Sequence, residues 1–333
     1  MDESRVNILG LGFYVPRPVL RNSDLEKMVE TSDEWIISRT GIQERRIVEP
    51  GQACSDLALE ATQMALSQAF LTPKDITHIL FATFTPDFNN PTTACVLQNK
   101  LGMVNCSMAM DIGAGCSGFI YGLDTIRGLT AIYPDANILL VGGEVCTSRL
   151  NFQDRNTCVL FGDGAGAAII SGKDFGQHKP RVIDSMVRTD GSLGHLLPVG
   201  QEGGSALPYE FGQRVTEDFY IQMNGRELFR HAVRGMASMS QNILEKNELS
   251  IHDIDLYIPH QANLRIIEAL AKKMDYPMEK VYVNVDRFGN TSAASVIIAL
   301  SEAYSHGYIA PGYKVLLVSF GAGLTWGVAL LQF

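Results

Sequence analysis

Residues 111–120 read Asp-Ile-Gly-Ala-Gly-Cys-Ser-Gly-Phe-Ile. The apolar run Met108 to Ile112 ends on Gly113-Ala114-Gly115, and Cys116 stands where the next helix begins. The same succession of strand, glycine-bearing turn and helix recurs over residues 285–297, Val-Asp-Arg-Phe-Gly-Asn-Thr-Ser-Ala-Ala-Ser-Val-Ile. Upstream, Leu71-Thr72-Pro73-Lys74-Asp75-Ile76 precedes one apolar run and Leu249-Ser250-Ile251-His252-Asp253-Ile254 precedes another, 178 positions later. Downstream, the apolar strand at Ile138 corresponds to the one at Val315. Each series closes on a glycine-punctuated strand, Gly162 to Ile170 and Leu324 to Leu331. Ordered self-similarity of this kind predicts two diverged copies of one α/β unit, residues 1–172 and 173–333. Chance likeness between α/β units is the alternative.

The runs His78–Thr83, Ile138–Val141, Ala167–Ile170, Leu256–Ile258 and Val315–Val318 are short, apolar and bounded by Gly, Pro or Asp, which predicts interior strands. Between them, Ser55–Phe70 opens on a serine cap and repeats apolar residues every three or four, as do Leu264–Lys273 and Ser292–Ser305. Strands alternating with helices imply a layered α/β fold. Val315–Phe333 carries no charge over 19 residues, close to the length of a membrane span. Its break at Gly321-Ala322-Gly323, with Ser319, Thr325 and Gln332, predicts two buried strands joined by a turn instead, and so no membrane insertion.

With 333 residues, 46% hydrophobic content and 19% charge, the chain has about two domains' worth of material and an ordinary globular balance, which excludes disorder. A net charge of −9 from interspersed acids and bases argues against a general nucleic-acid surface. Six cysteines lie singly, with no C-x-x-C pair, as expected of reduced thiols in a cytosol. The acidic start of the chain has the wrong order for a secretory signal, so the expected location is cytoplasmic.

Three residues invite a chemical reading. Cys116 follows a strand through a small-residue turn at a helix start, where the helix dipole and unpaired N–H groups favour thiolate. A buried structural cysteine fits the same pattern. His260, in Ile258-Pro259-His260-Gln261-Ala262-Asn263, sits where a strand gives way to a loop, and ligand sites of α/β sheets collect at such carboxyl ends. A satisfied structural histidine is the alternative. Asn290, in Phe288-Gly289-Asn290-Thr291, occupies in the second copy the turn that Cys116 occupies in the first, and a helix cap is its alternative role. Two copies packed about a pseudo-twofold axis would bring the three together. Phe161–Ala168 is glycine-rich but lacks both phosphate-binding signatures, and reads as tight packing. Zinc spacings are absent, so no metal is expected.

Six motifs taken together (DIGAGCSGF, PHQANLRI, FGNTSAAS, TSDEWIISRTGI at Thr31–Ile42, GDGAGAA and FGAGLTWG) resemble the β-ketoacyl-acyl carrier protein synthase III family, of the thiolase superfamily, over nearly the whole chain. The resemblance implies a thiolase-like fold in αβαβα layers and a homodimer. It also implies decarboxylative Claisen condensation of an acyl-CoA primer, acetyl-CoA in the first instance, with malonyl-acyl carrier protein. Cys116 would take the acyl group, with its oxyanion held by its own N–H and one from the Gly321, Ala322, Gly323 turn. His260 and Asn290 would steady the enolate left by decarboxylation. Neither metal nor redox cofactor is implied, coenzyme A thioester being a substrate.

By the same resemblance Thr31, Trp35, Arg39, Arg155, Gly225 and Asn263 would bind coenzyme A. Asn90, Leu160 and Phe320 would shape the acyl pocket, Asn90 reaching across the dimer. Arg265, Lys272 and Lys273, on one helix, would meet an acidic carrier protein. Asn90 is smaller and more polar than the Phe or Leu the family often has there, and Pro198–Phe219 reads as a long insertion, so a strict acetyl preference is in doubt. A relative serving secondary metabolism with a longer, branched or aromatic acyl group is the runner-up. A Cys-His-Asn thioester hydrolase is a third reading. A non-catalytic acyl-carrier binding module is a fourth.

Overall fold

The repeated hexapeptides fold into the same hydrogen-bonded turn. Thr72 donates through its backbone N–H and its hydroxyl to Asp75 Oδ2 at 2.8 and 2.7 Å, and Ser250 does the same to Asp253 Oδ2 at 2.8 and 2.7 Å. Each turn follows a helix that ends through a left-handed residue, Phe70 or Glu248, both at φ 56°. Each delivers a buried isoleucine, Ile76 or Ile254, to the strand beyond. The computed structural model describes residues 6–104, 106–173, 175, 179–199 and 219–333. Residues 200–218, most of the stretch expected to be an insertion, lie outside them.

The first half runs β1 (Val6–Tyr14), β2 (Val19–Arg21), α1 (Asn22–Leu25), α2 (Asp33–Thr40), β3 (Glu44–Arg46), α3 (Cys54–Ala69), β4 (His78–Ala82), α4 (Thr93–Lys100), β5 (Met108–Ile112), α5 (Gly118–Ile132), β6 (Asn137–Val145), α6 (Arg155–Cys158) and β7 (Asp163–Ser171). The second runs β8 (Arg181–Thr189), α7 (Gly225–Lys246), β9 (Leu256–Pro259), α8 (Leu264–Lys273), α9 (Val285–Phe288), α10 (Ser295–Ser305), β10 (Lys314–Gly321) and β11 (Thr325–Gln332). All but β2 and β3 form one sheet in the order β5-β4-β6-β7-β1-β8-β11-β10-β9. Reading from the centre outward, β1-β7-β6-β4 on one side matches β8-β11-β10-β9 on the other. The place of β5 is taken in the second half by a single parallel bridge, Tyr257 to Val281. Within the sheet the halves join through the pairing of Val6 and Asn7 with Val182 and Arg181.

Three apolar clusters define the layers. One packs α3 on the first half-sheet and another packs α7 and α8 on the second. The largest gathers α5 and α10 between the half-sheets. This is the αβαβα order. Glycines make the close packing: a Cβ at Gly166 would lie 2.5 Å from Ile297 Cγ2, and one at Gly142 would lie 2.5 Å from Ala293 O. From Asp163 onward the glycine-rich stretch accordingly belongs to strand β7. Val315–Phe333 forms the hairpin β10–β11, paired from Lys314–Gln332 to Gly321–Thr325. Among the described residues no helix is long and apolar enough to cross a membrane.

One local expectation is corrected. The residue capping α3 is Ala53, two positions before the expected Ser55. Asp56 reaches back to accept the Ala53 N–H at 2.9 Å, and the Ser55 hydroxyl donates to Asp87 instead. An acidic residue at the third helical position can satisfy the free N–H groups of the first turn without a hydroxyl at the cap.

Candidate active site

Cys116 stands in a single 3-10 turn, Gly115–Ser117, between β5 and α5. Gly115 has φ +52°, a conformation that glycine adopts without cost, and a Cβ there would lie 2.9 Å from the N of Ala322. A Cβ at Gly321 would lie 2.6 Å from the N of Cys116. The cysteine turn and the Gly321-Ala322-Gly323 bend are thus pressed together. Two bonds fasten them: Ser117 Oγ donates to Thr325 O at 3.2 Å and Thr325 Oγ1 donates to Ala114 O at 3.0 Å.

His260 follows β9 directly, its N–H still donating to Val318 O of β10 at 2.8 Å. The next side chain, Gln261, spans from Pro259 O to the N–H groups of Asn284 and Val285, which fixes the loop. His260 Nδ1 lies 2.5 Å from Ser295 Oγ, on the first residue of α10. This bond engages one ring nitrogen and leaves Nε2 to the pocket.

Asn290 is held by backbone pairing with the first half: its N–H donates to Leu160 O at 2.8 Å, and Gly162 N donates to Asn290 O at 3.1 Å. The 3-10 turn Ser292–Ala294, ahead of α10, holds the place that Gly115–Ser117 holds ahead of α5. Asn290 therefore lies just upstream of the counterpart turn rather than in it, because the bridge to Leu160 and Gly162 keeps its backbone extended. Its Oδ1 accepts the Ser292 N–H at 2.8 Å, so the amide NH₂ is the end left for the pocket.

Cys116, His260 and Asn290 line one pocket of about 140 Å³, with Leu160 and Phe320 in its wall and Gly225 and Asn263 also lining it. Among the described residues Leu197, Met223, Leu228, Phe229 and Ile266 line it too, none of which the sequence reading singled out. They come from α7, α8 and the loop ahead of α7, and their spacing marks only helix faces.

Burial decides the protonation of both reactive groups. It pushes the Cys116 thiol up to about 12, with Glu144 adding to the rise and a Ser292 hydrogen bond and the residue's own N–H opposing it. The expectation that the turn holds a thiolate is therefore corrected: in the unliganded pocket desolvation outweighs the helix start. His260 is pushed down to about 3 by burial, so its imidazole is neutral at ordinary pH.

Away from the pocket, Trp35 on α2 lies between two guanidinium groups, Arg155 Cζ 4.6 Å and Arg39 Cζ 5.9 Å from its ring centroid. Arg155 is anchored by donating to Glu30 O at 2.9 Å. Asn263 caps α8 and donates through Nδ2 to Arg39 O at 3.1 Å, tying this cluster to the pocket rim. Thr31 precedes the Ser32 cap of α2, and its hydroxyl is buried with no hydrogen-bond partner in the structure. Asn90 lies elsewhere, on the exposed loop 88–91, and does not line this chain's own pocket. Arg265, Lys272 and Lys273 are all exposed on α8, with an exposed Glu268 between them. Arg226, Arg230 and Arg234 form a second basic row on the exposed face of α7, one helical turn apart, a pattern the sequence reading passed over.

A sheet folded back on itself around two central helices, with the cysteine turn at the inner helix start, is the architecture of the thiolase-fold condensing enzymes. Residues 110–191 match the model of the 3-oxoacyl-[acyl-carrier-protein] synthase III family, and residues 244–333 match that of its C-terminal part. A beta-ketoacyl-[acyl-carrier-protein] synthase III of Nitratidesulfovibrio vulgaris is 51% identical over 325 residues, 97% of this chain and 98% of that protein. One from Caldanaerobacter subterraneus is 49% identical over 332 residues, 99% and 98% of the two chains. The crystal structure of 3-oxoacyl-[acyl-carrier-protein] synthase III from Aquifex aeolicus superposes with a TM-score of 0.89 at 42% identity, over 98% of this chain and all of that one. The chain belongs to the β-ketoacyl-acyl carrier protein synthase III family, an acyl-transferring family of condensing enzymes.

Proposed function

We propose that the protein condenses a short acyl-CoA, acetyl-CoA in the first instance, with malonyl-acyl carrier protein to give 3-oxoacyl-acyl carrier protein, CO₂ and coenzyme A. Cys116 attacks the thioester, and the oxyanion is met by its own N–H and by the Gly321–Gly323 bend. Malonyl-carrier protein then loses CO₂. The enolate oxygen is met by His260 Nε2–H and the Asn290 amide, and the carbanion attacks acyl-Cys116. Ser295 donates to His260 Nδ1, which puts the ring proton on Nε2. Decarboxylation drives the bond formation, so the chemistry calls for no metal or redox group.

The observation that carries this reading is the pairing of a neutral imidazole and a carboxamide beside a protonated thiol in one pocket. A hydrolase of the Cys-His-Asn type needs a thiolate–imidazolium pair. Here burial opposes both charges. Neutral donors suit an enolate, because they stabilise developing negative charge without having to lose a proton.

Trp35, with Arg39, Arg155 and Thr31, is the proposed platform for the coenzyme A adenine, and Asn263 and Gly225 guide the pantetheine arm. The basic rows on α7 and α8 are the proposed landing site for the carrier protein, and a homodimer that carries Asn90 to the partner's pocket completes the assembly. To test the chemistry, the purified chain is incubated with a panel of acyl-CoAs and weighed intact, and malonyl-carrier protein is then added. An adduct on Cys116 that discharges with CO₂ and a new carbon–carbon bond is expected. Loss of the adduct to water alone overturns the proposal.

A further inference from the structure

Glu144, at the inner end of β6, is fully buried and takes no part in the chemistry above. Its Oε2 accepts the hydroxyls of Thr83 at 3.0 Å and Thr85 at 2.6 Å, together with the backbone N–H of Thr85 at 3.2 Å. The Phe84 N–H also reaches the carboxylate, at 3.2 Å from Oε2. Oε1 accepts the Phe84 N–H at 3.3 Å and the Ser292 hydroxyl at 3.2 Å, and the same Ser292 hydroxyl acts on the Cys116 thiol, holding it down against burial. A single hydroxyl therefore stands between the nucleophile and a carboxylate 28 residues further along the chain, on β6 rather than in the cysteine turn. Ser292 holds this position at φ +51°, a left-handed conformation that costs a serine energy, and its N–H is pinned by Asn290 Oδ1.

From this geometry we infer that Glu144 receives the Cys116 proton through Ser292 when the thioester is attacked and supplies one by the same path when condensation frees the thiolate. The inference rests on the condensation reading. In acylation the Cys116 S–H bond breaks, Ser292 passes its own proton to Glu144 Oε1 and takes the thiol's, and sulfur bonds the carbonyl carbon as the thiolate of coenzyme A leaves. That thiolate takes a proton from water, its ordinary pKa being about 8.5. In condensation the carbanion bonds the acyl carbon, Cys116 leaves as thiolate, and a proton returns by the same path. One proton is consumed per turnover.

The surroundings suit such an exchange. Burial raises the Glu144 carboxyl to about 7, while the hydroxyl and N–H donors oppose the rise. The titratable groups facing it are the thiols of Cys54, Cys116 and Cys146, each itself raised by burial. Among the described residues no cation is ion-paired with it. A carboxyl so placed can change charge without breaking an ion pair. Its action is through Ser292, so it is a positioning residue.

The test follows acylation alone, by rapid quench and intact mass, across pH. For the wild-type protein the rate should rise with pH through a transition near 7. Glu144→Gln should acylate about 100-fold more slowly and without the transition. Ser292→Ala should behave alike with the carboxylate intact, and Glu144→Asp should restore a transition at shifted pH. Acylation of Glu144→Gln and Ser292→Ala at the wild-type rate overturns the inference and leaves the condensation reading standing. A wild-type protein that no acyl-CoA acylates overturns both.

Discussion

His260 Nδ1 and Ser295 Oγ lie 2.5 Å apart, and no other side-chain partner of the ring is present among the described residues. The bond crosses from the loop after β9 to the first turn of α10, so a helix end fixes the orientation of an imidazole on a neighbouring strand, and with Ser295 as the donor, as proposed, the ring proton falls on Nε2. Ser295→Ala removes the donor to Nδ1 and lets the ring proton move there, which turns Nε2 into an acceptor. Decarboxylation of malonyl-carrier protein should fall about tenfold or more, whereas acylation of Cys116 should be unchanged. Stability should drop by only about 1 kcal/mol, the net worth of one hydrogen bond. Equal losses in the two half-reactions would show that the serine merely supports the fold.

Asn290 offers the complementary case, because its Oδ1 is already committed to the Ser292 N–H. Asn290→Asp preserves that bond and the shape of the side chain but replaces the NH₂ donor with an anionic oxygen. Losing one donor at a developing oxyanion costs about 3–4 kcal/mol, so decarboxylation should fall by about 10²-fold or more. The measurement is CO₂ release from malonyl-carrier protein on the Cys116→Gln background, which imitates the acylated cysteine and isolates the second half-reaction. Retained decarboxylation in the double variant would remove Asn290 from the proposed donor pair.

The adenine platform is separable from the chemistry. Trp35→Ala removes the ring that Arg155 and Arg39 flank, at 4.6 and 5.9 Å. KM for acyl-CoA should rise about tenfold with kcat little changed, as expected for a contact made equally in ground and transition states. An acyl thioester of pantetheine, which has no adenine, should be used equally well by both proteins. A matching defect with that shorter substrate would place Trp35 in the scaffold instead.

How much of this was legible beforehand depended on distance along the chain. The hexapeptide turns at Thr72 and Ser250 were visible because local spacing fixes them. Cys116 and His260 stood out because each follows a strand end, and Asn290 because of the repeated glycine-bearing turn, although the short helix α9 and not the expected strand leads into it. Glu144 and Ser292 did not, since a buried carboxylate in an apolar strand and a serine 148 residues later share no local pattern. The pocket wall of Leu197, Met223, Leu228, Phe229 and Ile266 was hidden for a similar reason: those side chains read as ordinary helix and loop residues until the fold brings them to Cys116. The Cys116 turn was recognised, but its protonation was misjudged. Sequence shows the helix start that favours a thiolate and not the desolvation that opposes it.

Charge on α7 and α8 bears on the carrier protein alone. Arg230→Glu and Arg265→Glu reverse exposed charges that touch no buried group, so folding should be little affected. KM for malonyl-carrier protein should rise severalfold and the effect should shrink as salt is added, because exposed charges interact over a screening length of about 10 Å at 0.1 M salt. Acylation by acyl-CoA should be untouched. An unchanged KM for the carrier in both variants would move the landing site elsewhere.

The depressed pKa of His260 gives a pH prediction whose sign can be worked through. An unfolded histidine binds a proton below about 6.5, whereas the buried ring binds one only near 3. Between those values the unfolded state holds the extra proton, so this residue's contribution to stability is present above about 6.5 and is lost as pH falls toward 3, at about 1.4 kcal/mol per pH unit. Its difference from His260→Gln, which cannot titrate, should follow that slope in paired unfolding measurements. The same neutral ring sets the function: CO₂ release by Cys116→Gln should vary little between about pH 5 and 8, since His260 does not titrate there. A fall in activity centred on the ordinary histidine range, together with a stability difference independent of pH, would mean that the imidazole is charged in use, and the case for a neutral enolate donor would be lost.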